Sequence, residues 1–315
     1  MRVLLTGVSS FTGCWFASAL AEAGAEIVGT CRAPVESYTG LSRRRLDMAR
    51  SSGCRLVEAG AFGSPDFLAV IASCGPFDLL CHHGAEVGDL RRPGYDPLAA
   101  LASNTLDAGT VMRVSAETGC KGLVVTGSVF EADEGGGDGP PINAYGLAKT
   151  LTWQALRFHA AAAGLAIGRF VVPHPFGPLE KPGFTSSLVR SWLGDLPGIV
   201  RRPELVRDFV PVDLLARAFA RLCGELVDRG GSRRSAPSGH VGSLLDLAGL
   251  LARELSPRIA RPCEVRVLAD PSPAGEPTRR TNDGPSIVVA EDIVARSWER
   301  YAAFHISDDL SSIYG

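Results

Sequence analysis

Along the first half of the chain, short apolar runs alternate with longer stretches of helical periodicity. The runs at 2–6 (RVLLT), 26–31 (EIVGTC), 55–58 (RLVE), 78–82 (DLLCH), 122–126 (GLVVT) and 166–171 (AIGRFV) predict strands. Most are apolar at consecutive rather than alternate positions, as strands covered on both faces must be. Between them, the patterns near 12–23, 66–73, 97–118 and 143–163 predict helices. Alternation at this spacing, joined by right-handed crossovers, implies an α/β fold with a doubly wound parallel sheet of Rossmann-like type.

Beyond residue 171 the texture changes. The segment 172–211 is rich in Pro and Gly with one helix predicted at 184–194, and further helices are predicted at 212–227, 242–255 and 289–304. Two parts are expected: a dinucleotide-binding, Rossmann-like domain over 1–171, and a smaller C-terminal substrate-binding α/β part over 172–315. The helix near 212–227 is expected to pack back on the first. The loop 131–142, EADEGGGDGPPI, is acidic and Gly/Pro-rich, so it reads as a mobile segment, an active-site flap or a plain surface loop.

Composition narrows the function. The 315 residues are 45% hydrophobic, with 32 basic against 34 acidic side chains and a net charge of -2. That balance leaves no electrostatic footprint for nucleic acid. No run approaches the roughly 20 apolar residues that cross a bilayer, so no membrane partner is expected. MRVLLTGVSSFTG breaks into Gly and Ser too early for a secretion signal, and the 8 cysteines show no C-x-x-C pair; a reduced, cytoplasmic protein is expected. His82 and His83 are adjacent on a predicted strand and would face opposite ways, so no metal is expected. Only three of the basic residues are lysines, Lys121, Lys149 and Lys181.

The first strand runs into Gly7-Val8-Ser9-Ser10-Phe11-Thr12-Gly13 and then a helix. Backbone N–H groups at such a helix start, with glycines where a Cβ would obstruct, suit a pyrophosphate. The turn from Gly7 through Ser9, Ser10, Phe11 and Thr12 to Gly13 is therefore the candidate cofactor site. Ser10 stands where a middle glycine is expected, either narrowing the approach or donating a hydrogen bond. The second strand ends in Thr30-Cys31-Arg32 with no acidic residue, so Arg32 can pair with a 2′-phosphate, favouring NADP over NAD. Arg43, Arg44 and Arg45 either assist Arg32 there or, the preferred reading, form an exposed helix face.

Tyr145 and Lys149 stand four apart at the start of a predicted helix, on one face. A nearby ammonium is expected to lower the tyrosine's pKa, giving an acid/base for a carbonyl or alcohol. The strand end Val125-Thr126-Gly127-Ser128 brings hydroxyls to the crevice beside it.

These residues together resemble an extended short-chain dehydrogenase/reductase of the NAD-dependent epimerase/dehydratase family. Thr6-Gly7-x-x-x-Phe11-x-Gly13 resembles its cofactor turn. The stretch from Asp78 to Ala85, with His82 and Gly84, is similar to its fourth-strand D-V-V-I-H-L-A-A. Phe176-Gly177-Pro178 looks like its Y-G-P turn, and Arg207-Asp208-Phe209-Val210 with Asp213 looks like its R-D-F-V-x-V-x-D segment. The resemblance implies that Tyr145 is the acid/base, that Lys149 holds the nicotinamide ribose, and that Thr126 orients the reacting oxygen. It adds His82 and Gly84 to the cofactor residues. It gives substrate contacts to Ser128, His174 and Arg207, the last toward a diphosphate, although His174 replaces the usual Asn. It also implies a homodimer through the helices at 97–118 and 143–163, whose apolar stripes otherwise simply cover the sheet.

Gly127 and Ser128 stand where the family's dehydratases carry an acidic pair, and Ser128 where its 3,5-epimerases carry a cysteine base. What remains is hydride transfer with one tyrosine. Arg32 favours NADPH-dependent reduction of a keto group on a nucleotide-activated sugar. The alternative is a 4-epimerase with retained NAD. An alternative of another class, a non-catalytic NADP-sensing or scaffold protein, is opposed by the joint presence of Thr126, Tyr145 and Lys149.

Overall fold

The structure, a computed structural model, describes residues 1–86, 94–268, 270 and 276–307. The chain runs β1 (Arg2–Thr6), α1 (Phe11–Glu22), β2 (Glu26–Cys31), α2 (Gly40–Ser51), β3 (Arg55–Glu58), α3 (Pro65–Cys74) and β4 (Leu79–His82). It continues through α4 (Pro97–Asn104), α5 (Ala108–Glu117), β5 (Gly122–Ser128), α6 (Ala144–Ala162) and β6 (Ala166–Val172). The second half holds β7 (His174–Phe176), α7 (Phe184–Leu193), β8 (Gly198–Val200), β9 (Val206–Pro211), α8 (Val212–Arg229) and β10 (Ser232–Ser235). It closes with β11 (His240–Ser243), α9 (Leu244–Ile259), β12 (Val265–Val267), β13 (Arg279–Arg280) and α10 (Glu291–Ser307).

Seven strands form one sheet in the order β10-β6-β5-β4-β1-β2-β3, and every pairing in it is parallel. The direction of winding reverses between β1 and β4, which is where a doubly wound fold opens its ligand crevice. All six predicted strands lie in this sheet. The seventh, β10, comes from beyond residue 171, and α8 packs on α1, β5 and β6, so later chain completes the Rossmann-like layer. A smaller sheet, β11-β9-β13 with β7 on β9, and the pair β12-β8 make up the second part with α7, α9 and α10.

The helix predicted over 97–118 is two helices. Asp107 sits between them at φ 43, a left-handed conformation that no continuous helix allows. The interruption has a tertiary cause: buried Asn104 gives its carbonyl to the His82 ring and its Oδ1 to the Glu86 N–H.

Strand alternation sorts the core into two layers. Val3, Leu5, Ile27, Leu79 and Cys81 face α1 and α8, while Leu4, Val28, Leu80, Leu123 and Val125 face α3, α5 and α6. Helix α1 has no polar side: nine consecutive residues, Thr12 to Leu20, are buried between the sheet and α8. At the centre Phe16 and Phe219 stack with centroids 4.1 Å apart, and Phe170 meets both edge-on. Phe219→Ala is expected to lower unfolding free energy by about 3–5 kcal/mol in urea titration; a loss below about 1 kcal/mol would mean the layer re-packs freely.

Candidate active site

Strands β1 and β4 end side by side, and the loops that leave them touch. Gly7 has φ +74, and a Cβ on it would stand 2.6 Å from Gly84 N, so only glycine fits both the turn and the approach. Gly13 packs on the Gly7 carbonyl in the same way. Ser10 caps α1, its Oγ accepting the Gly13 N–H at 3.0 Å. The first turn of α1 holds no acidic residue, so its N-terminus keeps its positive end for an anion. Ser10 thus turns its hydroxyl back under the turn rather than into the approach.

From this turn a cavity of about 530 Å³ crosses the sheet edge, bordered by Arg32 and Tyr38 on one side and by Tyr145, Lys149 and Pro173 on the other. Gly7, Ser9, Ser10, Phe11, Thr12, Thr126 and Ser128 border it as well. Gly13 does not, serving instead the packing beneath.

Asn143 caps α6, its Oδ1 accepting the Gly146 N–H at 2.8 Å, and so sets Tyr145 and Lys149 in the first turns facing β5. Lys149 is buried and donates to the Thr126 carbonyl. Tyr145 borders the cavity beside Ser128 and meets the Phe130 ring edge-on. The expected lowering of its pKa does not occur. Burial first, then the Glu131 carboxylate, push the Tyr145 phenol up, and the Ser128 hydroxyl offsets only part. Burial also lowers the Lys149 pKa, with Glu131 acting against it. The ammonium is engaged by the strand-end carbonyl, while a carboxylate absent from the sequence argument stands nearby.

That carboxylate overturns the reading of 131–142 as a mobile acidic segment. Glu131 and Glu134 are buried, both paired with Arg169, and Glu134 also with Arg234 at 2.6 Å. Glu131 further accepts the Ser128 N–H at 2.6 Å. The start of the predicted flap, Glu131 with Glu134, is therefore a buried ionic anchor for the strand end that carries the hydroxyls.

Other expected residues fall differently. Arg32 borders the cavity but pairs with Glu86 at 3.2 Å. His82 borders it too, yet its ring is committed to Thr6 and to the Asn104 carbonyl. Arg45 is not part of an exposed face: it is buried, donates from Nε and Nη2 to the Leu179 carbonyl, and lines the cavity with Lys181. His174 and Arg207 are not among the cavity's lining residues. His174 lies behind Phe130 against Phe209 with its Nδ1 unpartnered. Arg207 is buried and donates to the Val206, Pro277 and Thr278 carbonyls and to Glu276 at 2.7 Å. His83, passed over in the sequence except as an unlikely metal ligand, faces the cavity 2.9 Å from Thr126 Oγ1. Strand alternation was the signal for it. Nothing local marks Glu131 or Glu86.

A model of the NAD dependent epimerase/dehydratase family matches residues 3–232. No curated protein matches the sequence. Among solved structures, a UDP-glucuronic acid 4-epimerase from Bacillus cereus, in complex with UDP-glucuronic acid and NAD, is similar with a TM-score of 0.73 at 16% identity, covering 98% of this chain and 99% of that one. MoeE5 in complex with UDP-glucose and NAD gives 0.70 at 19%, with 98% and 99% covered. A UDP-N-acetylglucosamine 4-epimerase from Methanobrevibacter ruminantium M1, in complex with UDP-N-acetylmuramic acid, gives 0.74 at 15%, with 97% and 98% covered. These likenesses establish a shared fold over nearly the whole chain. The family match spans most of its length, and the protein belongs to the NAD dependent epimerase/dehydratase family.

Gly7→Ala is expected to weaken NAD binding at least about tenfold while leaving the circular dichroism spectrum unchanged, because the new methyl meets backbone that cannot yield. Calorimetric titration checks this; undiminished affinity would place the cofactor elsewhere.

Proposed function

We propose that this member of the family is a nucleotide-sugar 4-epimerase working on a retained NAD. The observation that carries the reading is the Arg32–Glu86 ion pair. Arg32 alone would pair with a 2′-phosphate and favour net reduction with NADPH. Glu86 neutralises that corner and offers a carboxylate to a free ribose hydroxyl instead. The NAD and UDP-sugar complexes of the similarly folded proteins support the same choice.

The residues fit the cofactor. The Gly7–Gly13 turn and the α1 N-terminus receive a pyrophosphate, and Lys149 is within the crevice to hold the nicotinamide ribose. When bound, NAD supplies the hydride acceptor and donor and a ring charge that offsets Glu131. Tyr145 acts as the base only as its phenolate, its phenolic proton having first passed to solvent once that ring charge opposes Glu131; it then takes the proton from the sugar hydroxyl as its carbon is oxidised. It returns that proton to the same oxygen once the keto sugar has turned and presents its other face. Thr126 hydrogen-bonds the reacting oxygen, and Ser128 holds the Tyr145 phenol. Arg207, with Arg202 and Arg280 around Glu276, offers guanidinium charge to a substrate diphosphate when Glu276 gives way. His174 supports that layer from behind Phe130. The substrate side is then 172–315 without α8 and β10.

Net ketoreduction is the second reading, and Tyr145 itself favours it. Burial and Glu131 hold a neutral phenol, the proton donor that reduction requires.

A homodimer through α4 and α6 is supported by Leu98 and Phe158, 63% and 69% exposed, with Leu106 and Leu147 exposed as well. Phe158→Glu is expected to convert the dimer to monomer in light scattering.

Heat-released cofactor from purified protein is expected to be NAD, with NADP binding at least about tenfold more weakly and Glu86→Gln narrowing that gap. Tyr145→Phe is expected to keep the cofactor and lose about 10²–10⁴-fold of turnover on a UDP-sugar panel. Preferential NADP binding by the wild type would move the assignment to the reductase; full activity in Tyr145→Phe would remove Tyr145 from the chemistry.

A further inference from the structure

Strand β4 ends in His82 and is followed at once by His83, whose ring meets different partners, and those partners fix where each ring carries its proton. His82 Nε2 lies 3.1 Å from the Asn104 carbonyl, which can only accept, so this nitrogen is the donor. Its Nδ1 then accepts from Thr6 Oγ1 at 3.1 Å, and Thr6 Oγ1 accepts the Gly84 N–H at 2.8 Å.

For His83 the same reasoning gives the opposite tautomer. His83 Nε2 lies 2.9 Å from Ser10 Oγ and 3.0 Å from Thr12 Oγ1, and Nδ1 lies 2.9 Å from Thr126 Oγ1. Ser10 Oγ already accepts the Gly13 N–H. With that acceptor position taken, Ser10 Oγ stands 2.9 Å from His83 Nε2 as the donor, and Thr126 Oγ1, which accepts from no other described residue, is left to receive the Nδ1–H. Nε2 therefore presents its lone pair, and a neutral ring carries its proton on Nδ1. Burial, then the Lys149 ammonium and His82, push the His83 pKa down to about 3, which keeps the ring neutral at pH 7. The Phe16 ring packs edge-on against it with centroids 4.9 Å apart, fixing its plane.

We propose that His83 is a positioning residue for Thr126: held as the Nδ1–H tautomer by the hydroxyls of the phosphate-binding turn, it donates to Thr126 Oγ1 and leaves the Thr126 proton free for the substrate oxygen. The opposite tautomer would draw that proton onto Nδ1 and leave Thr126 able only to accept. The helix cap that builds the cofactor turn thereby also sets the direction of a hydrogen bond at the reacting centre. The catalytic consequence rests on the reading of Thr126 given above; the tautomer does not.

Long-range ¹H–¹⁵N spectra of ¹⁵N-histidine-labelled protein test the first half. His83 is expected to show a pyrrole-type Nδ1 and a pyridine-type Nε2, with His82 reversed as the internal reference. A protonated Nε2 on His83, or a charged ring at pH 7, overturns the proposal. For the second half, His83→Leu is expected to lower kcat on the UDP-sugar panel about tenfold, with NAD affinity unchanged within about twofold. His83→Asn, whose amide can stand in for Nδ1–H, is expected to restore most of that loss. In a Thr126→Ala background His83→Leu is expected to cost nothing further. A kcat loss that persists in that background, or a parallel loss of NAD affinity, makes His83 merely structural. If Thr126→Ala is itself harmless, the reading of Thr126 fails while the tautomer result stands.

Discussion

The site depends on one contact, the meeting of the β1 and β4 loops at Gly7 and Gly84. The sheet reverses its winding there, so the two strands end as neighbours while their chains leave in opposite directions. A gap opens between them, and its walls are backbone. Because a Cβ on Gly7 would stand 2.6 Å from Gly84 N, the walls are close enough that His83, just before Gly84, reaches under the turn to Ser10 and Thr12. Cofactor turn, strand-end hydroxyl and histidine are thus one rigid piece. The register of a parallel sheet, fixed over five paired residues of β1 and β2, holds it.

The electrostatics are local. With a net charge of -2 the chain attracts no anion by its overall field, so bound phosphates meet a helix N-terminus and single cations. Near Tyr145 the arrangement is costlier. Arg169 lies between Glu131 and Glu134, over the Trp153 ring at 5.1 Å, with all three ionic groups largely withdrawn from water. Buried ion sets of this kind add little net stability, yet removing one member leaves an unpaired charge. Their service is positional: Glu131 grips the Ser128 N–H and so holds the end of β5 at the phenol. Burial raises the Tyr145 pKa, and Glu131 so placed raises it further.

The sheet was readable because its strands are apolar on both faces and its helices keep their period; the six predicted strands match the observed ones within two residues at each end. The turn and the Tyr145–Lys149 pair were readable because both are local spacings on single elements. Contacts between distant segments were not. Arg45 looked like part of an exposed basic run and is buried because Leu179, 134 residues away, offers a carbonyl. Glu131 looked like the start of a soluble loop, and only Arg169 on β6 explains its burial. Arg32 alone suits a 2′-phosphate, but Glu86, in the loop after β4, lies beside it. In each case a charged residue was read by its neighbours in sequence, whereas its state is set by a partner in space.

The two departures from the expected cofactor motifs, Ser10 in place of a glycine and a second histidine after β4, form a single device. A serine in the turn adds atoms where the pattern removes them, and it is tolerated because its hydroxyl has two partners away from the approach, the Gly13 N–H and His83. A histidine beside the crevice would be a costly polar group unless both ring nitrogens were satisfied, and the turn's hydroxyls with Thr126 do that. Either residue alone would leave a polar atom without its present partner; together they close a chain from the start of α1 to the end of β5. Lys149 completes it from the other side, holding the Thr126 carbonyl while His83 meets the Thr126 hydroxyl. In a chain that otherwise uses arginine, a compact ammonium is what this buried carbonyl can accept, since a guanidinium would bring five donors to a place with few acceptors.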